Sequence, residues 1–508
     1  MNTLRIAFIL FLSSNLSVAL AQNVSTEILW PNTPSSVVMQ DFIKAYNTGE
    51  LGEVEKFVIK HYYANDKTET LKNVEEWMDL YHRYGPIKPH SISINKEFDT
   101  EVWMQGRITK IWFAVEFILD KESGKVSAVG LLEGEKPKDV SQPFKNPEDL
   151  LRGVEAYLVK NEEKKLFQGV VLIQKNQETI FKNAYGMLND SLGIKNSIAT
   201  RMRISSITKP ITVIACLQLV QNGYLEFDSP ISIYLPELPL RVSSNITMRS
   251  LIMHTSGYEL DGISEFREKL EETNSMEEVY QLHLEYLPKW EKYKTFNPKG
   301  NYDYSNDSFD LLAILIEKVT GMKFEDYIKE NVFEVSNMNN TSFSTEDVAL
   351  PYRYDIKPNG ITDYSSYYPF SLGGISGAGG LKSTVEDLTN LFNTLYYSDK
   401  LLDSPFRNLM FSLSSESSSS TDPDVGPSPL NNQKTKFNKD PKVKNGRSMG
   451  FQFIYDTNLS VGHNGTSIGN SAELRYFPHA GYLIMVLCNN RSGAQNFFQF
   501  FNNSIPKN

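Results

Sequence analysis

Ser206 and Lys209 stand three apart in RISSITKPIT, just ahead of ITVIACLQLV, a run whose apolar residues predict a buried helix. Residues three apart on a helix share a face, so the hydroxyl and the amine come within reach of each other. That pairing suits a serine nucleophile whose proton is managed by a lysine. Pro210 fits only in a first helical turn, where the backbone amides lack intrahelical partners. Ser206 then lies at a helix N-terminus, where N–H dipoles favour an alkoxide and the oxyanion it creates. The spacing also describes an N-cap serine followed by a surface lysine, so it gains meaning only with partners. Ser93 with Lys96 and Ser504 with Lys507 share it, but the first pair lies in a strand-like stretch, where positions three apart face opposite sides, and the second lies beside Pro506.

Two further segments supply partners. NYDYSNDSFDLLAILIEKVTG carries Tyr304 and Asn306 in a loop that runs straight into a helix, and a tyrosine beside a lysine can be held partly ionised and take the serine proton. Tyr63 and Asn65 repeat that spacing by chance. VGHNGTSIGNSAELRYFP carries His463, Gly465 and Thr466 at a strand. His463 would bond the Tyr304 oxygen or a substrate carboxylate, and Gly465 would let substrate lie against the strand. The Thr466 N–H would be the second oxyanion donor beside that of Ser206. His479 with Gly481 and Lys444 with Gly446 match the same spacing, the first as a turn between strands and the second at the close of a loop. GGISGAGGLKSTVEDL reads as a tight backbone passage near the cleft, since no GK[ST] follows. His254 in LIMHTSG reads as a buried histidine holding its loop. With seven histidines and no HExxH or similar pair, no metal and no cofactor are expected.

These segments need a scaffold. FQGVVLIQKNQETIFKNAYG reads as a hairpin, and matching strands recur only in MGFQFIYD, AELRYFP and GYLIMVLCN near the far end. Residues 205 to 400 are mostly helical in pattern. The chain ends must therefore meet in one antiparallel sheet flanked by helices, with an all-helical subdomain inserted between them, an α/β (α+β) fold. Residues 22–140 form a separate pattern, two helical stretches and then alternating strands, which predicts a small N-terminal α+β domain similar to the cystatin-like cone domains fused to exported enzymes. GEKPKDVSQPFKNPEDL is the linker, residues 145–500 the main domain, and the Ser-, Pro- and Asn-rich 412–447 a flexible insertion. Residues 1–21 have an arginine, a short apolar stretch and Ala19 and Ala21 around Leu20, the layout of a cleavable export signal. An exported protein with no membrane span after signal removal is expected. Across 508 residues, 40% hydrophobic and 22% charged content is globular, and a net charge of -10 argues against a nucleic-acid partner. Cys216 and Cys488 both sit in apolar runs and are expected as buried free thiols.

Taken in order, SSITK, LIMHTSG, YSN, GAGGLKST and HNG resemble the serine β-lactamase and penicillin-binding protein superfamily, in its class C-like branch of β-lactamases, D-amino-acid peptidases and carboxylesterases. The resemblance covers about residues 150 to 500. It implies Ser206 as the acylated nucleophile, Lys209 and Tyr304 sharing the proton work, and Asn306 steadying a substrate amide or the lysine. His463 stands where class C β-lactamases carry the lysine of KTG, which points to an esterase or peptidase acting on a small-molecule or peptide ester or amide. A non-hydrolytic sensor of cell-wall fragments and a true β-lactamase are the alternatives that the same residues allow.

Overall fold

The computed structural model describes residues 28–506 apart from 63–69, 134–143, 261–263, 291–301, 367–373, 413–444 and a few isolated positions. The export signal, much of the linker and nearly all of the 412–447 insertion lie outside the described residues.

Near the N-terminus, helices α1 (Pro34–Tyr46) and α2 (Leu51–His61) precede four strands, β1 (Ile87–Lys96), β2 (Asp99–Gly106), β3 (Trp112–Leu119) and β4 (Val126–Glu133). The strands pair in sequence order, each antiparallel to the next. Thr33 caps α1 by accepting the Ser36 N–H, and Pro34 opens the helix with a φ already suited to it. Phe42, Phe57, Trp77 and Phe117 meet in an aromatic core of their own.

Helix α3 (Pro147–Glu163) then leads into strands β5 (Gly169–Lys175) and β6 (Glu178–Tyr185). The middle of the chain is largely helical, including α4 (Thr208–Gln221), α5 (Met276–Trp290), α6 (Asp307–Thr320) and α7 (Val385–Tyr397). Strands β7 (Asn445–Arg447), β8 (Gln452–Tyr455), β9 (Leu459–Ser467), β10 (Asn470–Phe477) and β11 (Tyr482–Cys488) follow, and α8 (Gly493–Ser504) comes last. The seven strands form one sheet in the order β7-β8-β9-β10-β11-β5-β6. The ends of the chain therefore do meet, β11 lying antiparallel to β5 with Val486 opposite Val171. The end of the insertion is ordered: Asn445–Arg447, carrying Gly446, is the edge strand of this sheet.

Period-two alternation divides the central strands between two cores. Val170, Leu172, Met485 and Leu487 join the larger core with the inserted helices. Val171, Ile173, Ile484 and Val486 face α3 and α8 through Leu150, Val154, Phe497 and Phe501. Helix α4 has buried residues on every side, as expected of a helix enclosed by the larger core. Cys216 and Cys488 are buried free thiols in different cores. No helix among the described residues is long and apolar enough to cross a membrane.

Candidate active site

Ser206 occupies a 3-10 turn, Ser205–Ile207, that runs directly into α4. Ser205 adopts φ 48°, a left-handed backbone uncommon for a residue other than glycine, at the point where the chain turns into the helix. One turn on, Lys209 is only 1% exposed. Its Nζ donates to Ser206 Oγ at 3.3 Å, to Asn306 Oδ1 at 2.8 Å and to the Ala378 carbonyl at 3.0 Å. An ammonium has three protons, and all three are engaged. The Ser206 and Tyr304 hydroxyls lie 2.8 Å apart. Asn306 is the N-cap residue of α6, so the helix that follows fixes both the loop and the lysine's acceptor.

The surrounding backbone holds these groups in place. His254 accepts the Ser305 N–H on Nδ1 at 3.1 Å, and its carbonyl accepts the Asp303 N–H at 2.8 Å. Its ring stacks on Tyr304 with centroids 4.5 Å apart, so it holds the loop as read from LIMHTSG. Asp310, one helical turn beyond Asn306, accepts from Ser376 Oγ at 2.6 Å and from the Gly377 N–H at 3.0 Å. Gly377 cannot carry a Cβ because that atom would sit 2.1 Å from the Phe309 carbonyl. The glycine run is thus a close backbone passage whose next carbonyl, Ala378, takes the lysine. Neither Asp310 nor the Ala378 carbonyl was legible as a site group. The available signal was a carboxylate set within the apolar face of α6.

A cavity of about 340 Å³ opens in front of Ser206, bounded by Tyr304, Asn306, Ala378, Gly379, Thr466 and Ser467. Strand β8 pairs with β9 only as far as Gly462. Gly465 packs on the chain leading to Ser206: a Cβ there would lie 2.1 Å from the Ile204 carbonyl, and Ser205 Oγ bonds Ser467 Oγ at 3.1 Å. The missing side chain at 465 therefore makes room for protein backbone, where substrate had been expected. Thr466 reaches the cavity while its Oγ1 accepts from Gln495 at 3.0 Å.

His463 departs from expectation. Its Nδ1 donates to the Asn464 carbonyl at 2.6 Å, and its ring lines a small recess with Lys209, His254 and Arg447, apart from the cavity that Ser206 faces. Strand alternation explains this, since Thr466 and His463, an odd number of residues apart, point to opposite faces of β9. Burial, followed by the charge of Lys209, pushes His463 down to about 3 and His254 down to about 2. Both rings are consequently neutral in the fold, while in the unfolded chain they take up protons below about 6.5. The stability that they lend is complete above that pH and is lost as the pH falls. Each should contribute a slope of about 1.4 kcal/mol per pH unit between roughly pH 6 and 4. Urea titrations across this range should show His463→Gln lowering the slope by about one proton; an unchanged slope would contradict the assignment.

The beta-lactamase family profile matches residues 154–499, well over half of the chain. The chain belongs to that family, within the serine β-lactamase and penicillin-binding protein superfamily. It is 26% identical over 223 residues to PbpX of Bacillus subtilis, provisionally named a penicillin-binding protein, an alignment spanning 44% of this chain and 53% of that one. The chain thus spans about half the length of that relative. Two solved structures share the fold. The D-amino acid amidase of Ochrobactrum anthropi SV3 superposes with a TM-score of 0.52 at 19% identity, covering 70% of this chain and 95% of that one. EstCE1, described as a hydrolase with promiscuous acyltransferase activity, does so with a TM-score of 0.53 at 20% identity, covering 70% and 97%.

Proposed function

We propose that the chain is an exported serine hydrolase that cleaves an ester or amide through an acyl-enzyme on Ser206. The observation that carries this reading is the Ser206 hydroxyl, 2.8 Å from the Tyr304 hydroxyl and 3.3 Å from the Lys209 ammonium at the edge of an open cavity. In this reading Tyr304, reacting as the phenolate beside the Lys209 ammonium, takes the Ser206 proton as Oγ attacks the substrate carbonyl. The N–H groups of Ser206 and Thr466 receive the oxyanion. Tyr304 then returns the proton to the departing alcohol or amine, and water releases the acyl group by the same steps in reverse. Asn306 fixes the lysine and borders the cavity, where it can also meet a substrate amide. His463 lines the recess behind Lys209 as a neutral ring.

A cavity of about 340 Å³ is at the small end of ligand sites and favours compact acyl groups. An amidase and a hydrolase with acyltransferase activity among the fold neighbours agree with ester or amide cleavage. The apolar leader motivates export, and residues 22–140 are read as an accessory domain. The test is a panel of p-nitrophenyl acetate, D-alanine p-nitroanilide and nitrocefin, with intact-mass detection of the acylated chain. The acetate or the anilide should be turned over at least about tenfold faster than nitrocefin, with any trapped acyl group on the Ser206 peptide. Preference for nitrocefin would make the protein a β-lactamase, and an adduct on another residue would remove Ser206 as nucleophile.

A further inference from the structure

Between α5 and the first turn of α6, at the wall of the cavity that Asp310 helps to line, three chemistry-bearing groups are enclosed together. His283, Asp307 and Asp310 are each no more than 1% exposed, and one ring nitrogen and one oxygen from each carboxylate lie within 4.8 Å of one another. The carboxylates are three apart in the first turn of α6, where helical geometry sets them side by side. His283 comes from α5, so no short spacing in the sequence announces the group.

Each member is oriented from outside. His283 Nδ1 is 2.7 Å from the Tyr258 hydroxyl. Asp307 Oδ2 accepts the Leu260 N–H, and Asp310 Oδ1 takes Ser376 and Gly377. The other nitrogen of the imidazole, Nε2, is buried without a hydrogen-bond partner. An unfilled polar atom in a closed interior is costly. A dication held with one oxygen from each carboxylate meets that cost by taking the Nε2 lone pair.

We infer that His283, Asp307 and Asp310 bind one divalent transition ion of the zinc or manganese type. One imidazole with two carboxylates is a donor set suited to such ions. For Nε2 to ligate, Nδ1 carries the proton and donates it to the Tyr258 oxygen, the outer-shell arrangement usual for metal-bound histidine. The ion would pin α5 to the turn of α6 that begins at Asn306, and through Asp310 to the glycine passage bearing the lysine's carbonyl acceptor. Its role here is structural, since Asp310 reaches the lysine only through Ser376, Gly377 and the glycine passage.

The full chain, stripped with a chelator, incubated with zinc or manganese and desalted, should retain about one ion per chain by elemental mass spectrometry, with a Tm raised on loading and lowered again by chelation. His283→Gln should cut retention to about a tenth or less and abolish the Tm response. Asp310→Asn, which keeps an oxygen for Ser376 and Gly377, should do the same without the loss of those bonds. No retained ion and no Tm response in the wild-type chain would overturn the site, as would variants that retain as much metal as the wild type.

Discussion

Ser206→Ala is expected to lower kcat/KM for p-nitrophenyl acetate by about 10⁴-fold or more while leaving the fold intact. The size of the loss follows from the chemistry: an acyl-enzyme route has no substitute once the attacking oxygen is gone, and the remaining oxyanion donors give only a residual advantage over water. Stability should hardly change, because Ser206 is partly exposed at the cavity and, among the described residues, its side chain bonds only Tyr304 and Lys209. Those two groups retain other surroundings, the lysine two acceptors and the tyrosine the His254 ring. A Tm within a few degrees of wild type, together with loss of labelling by a fluorophosphonate, would show that chemistry alone was removed. Activity within tenfold of wild type would place the nucleophile elsewhere.

What could be read from the sequence was whatever depends on local periodicity. Three-residue spacing on a helix determines that Lys209 points at Ser206, and the loop-to-helix transition after YSN fixes Asn306 as a cap. Strand patterns found only at the two ends required a sheet made from both, and β11 beside β5 is the outcome. What was misread depends on which side of a strand faces which cavity. His463 and Thr466 are near neighbours in sequence, yet one lines the recess behind Lys209 and the other the cavity before Ser206. Gly465 was assigned to substrate, whereas the clash that it avoids is with the Ile204 carbonyl, some 260 residues away in sequence. Contacts of that range leave no mark in a spacing. The same holds for Ala378, whose role rests on a carbonyl and not on its side chain.

Lys209→Met should be nearly as damaging as loss of the nucleophile, lowering kcat/KM by about 10³-fold or more, and its effect on stability should be small by cancellation. Methionine fills similar space but leaves Asn306 Oδ1 and the Ala378 carbonyl without their donor, a cost of about 1–3 kcal/mol for each buried acceptor that finds no water. Against that, the substitution removes a buried ammonium with no carboxylate in ion-pair contact among the described residues, which relieves a desolvation cost of several kcal/mol. The rings of Tyr304 and Phe309, 4.8 and 5.4 Å from Nζ, return only part of that cost through cation-π attraction. An ammonium held in so dry a place at such a cost argues that its use is chemical. The double variant with Ser206→Ala should then be no slower than Ser206→Ala alone, because groups that act on one proton lose function together. Multiplicative losses in the double variant would mean that Lys209 acts on a step separate from serine activation, such as positioning the leaving group through Asn306.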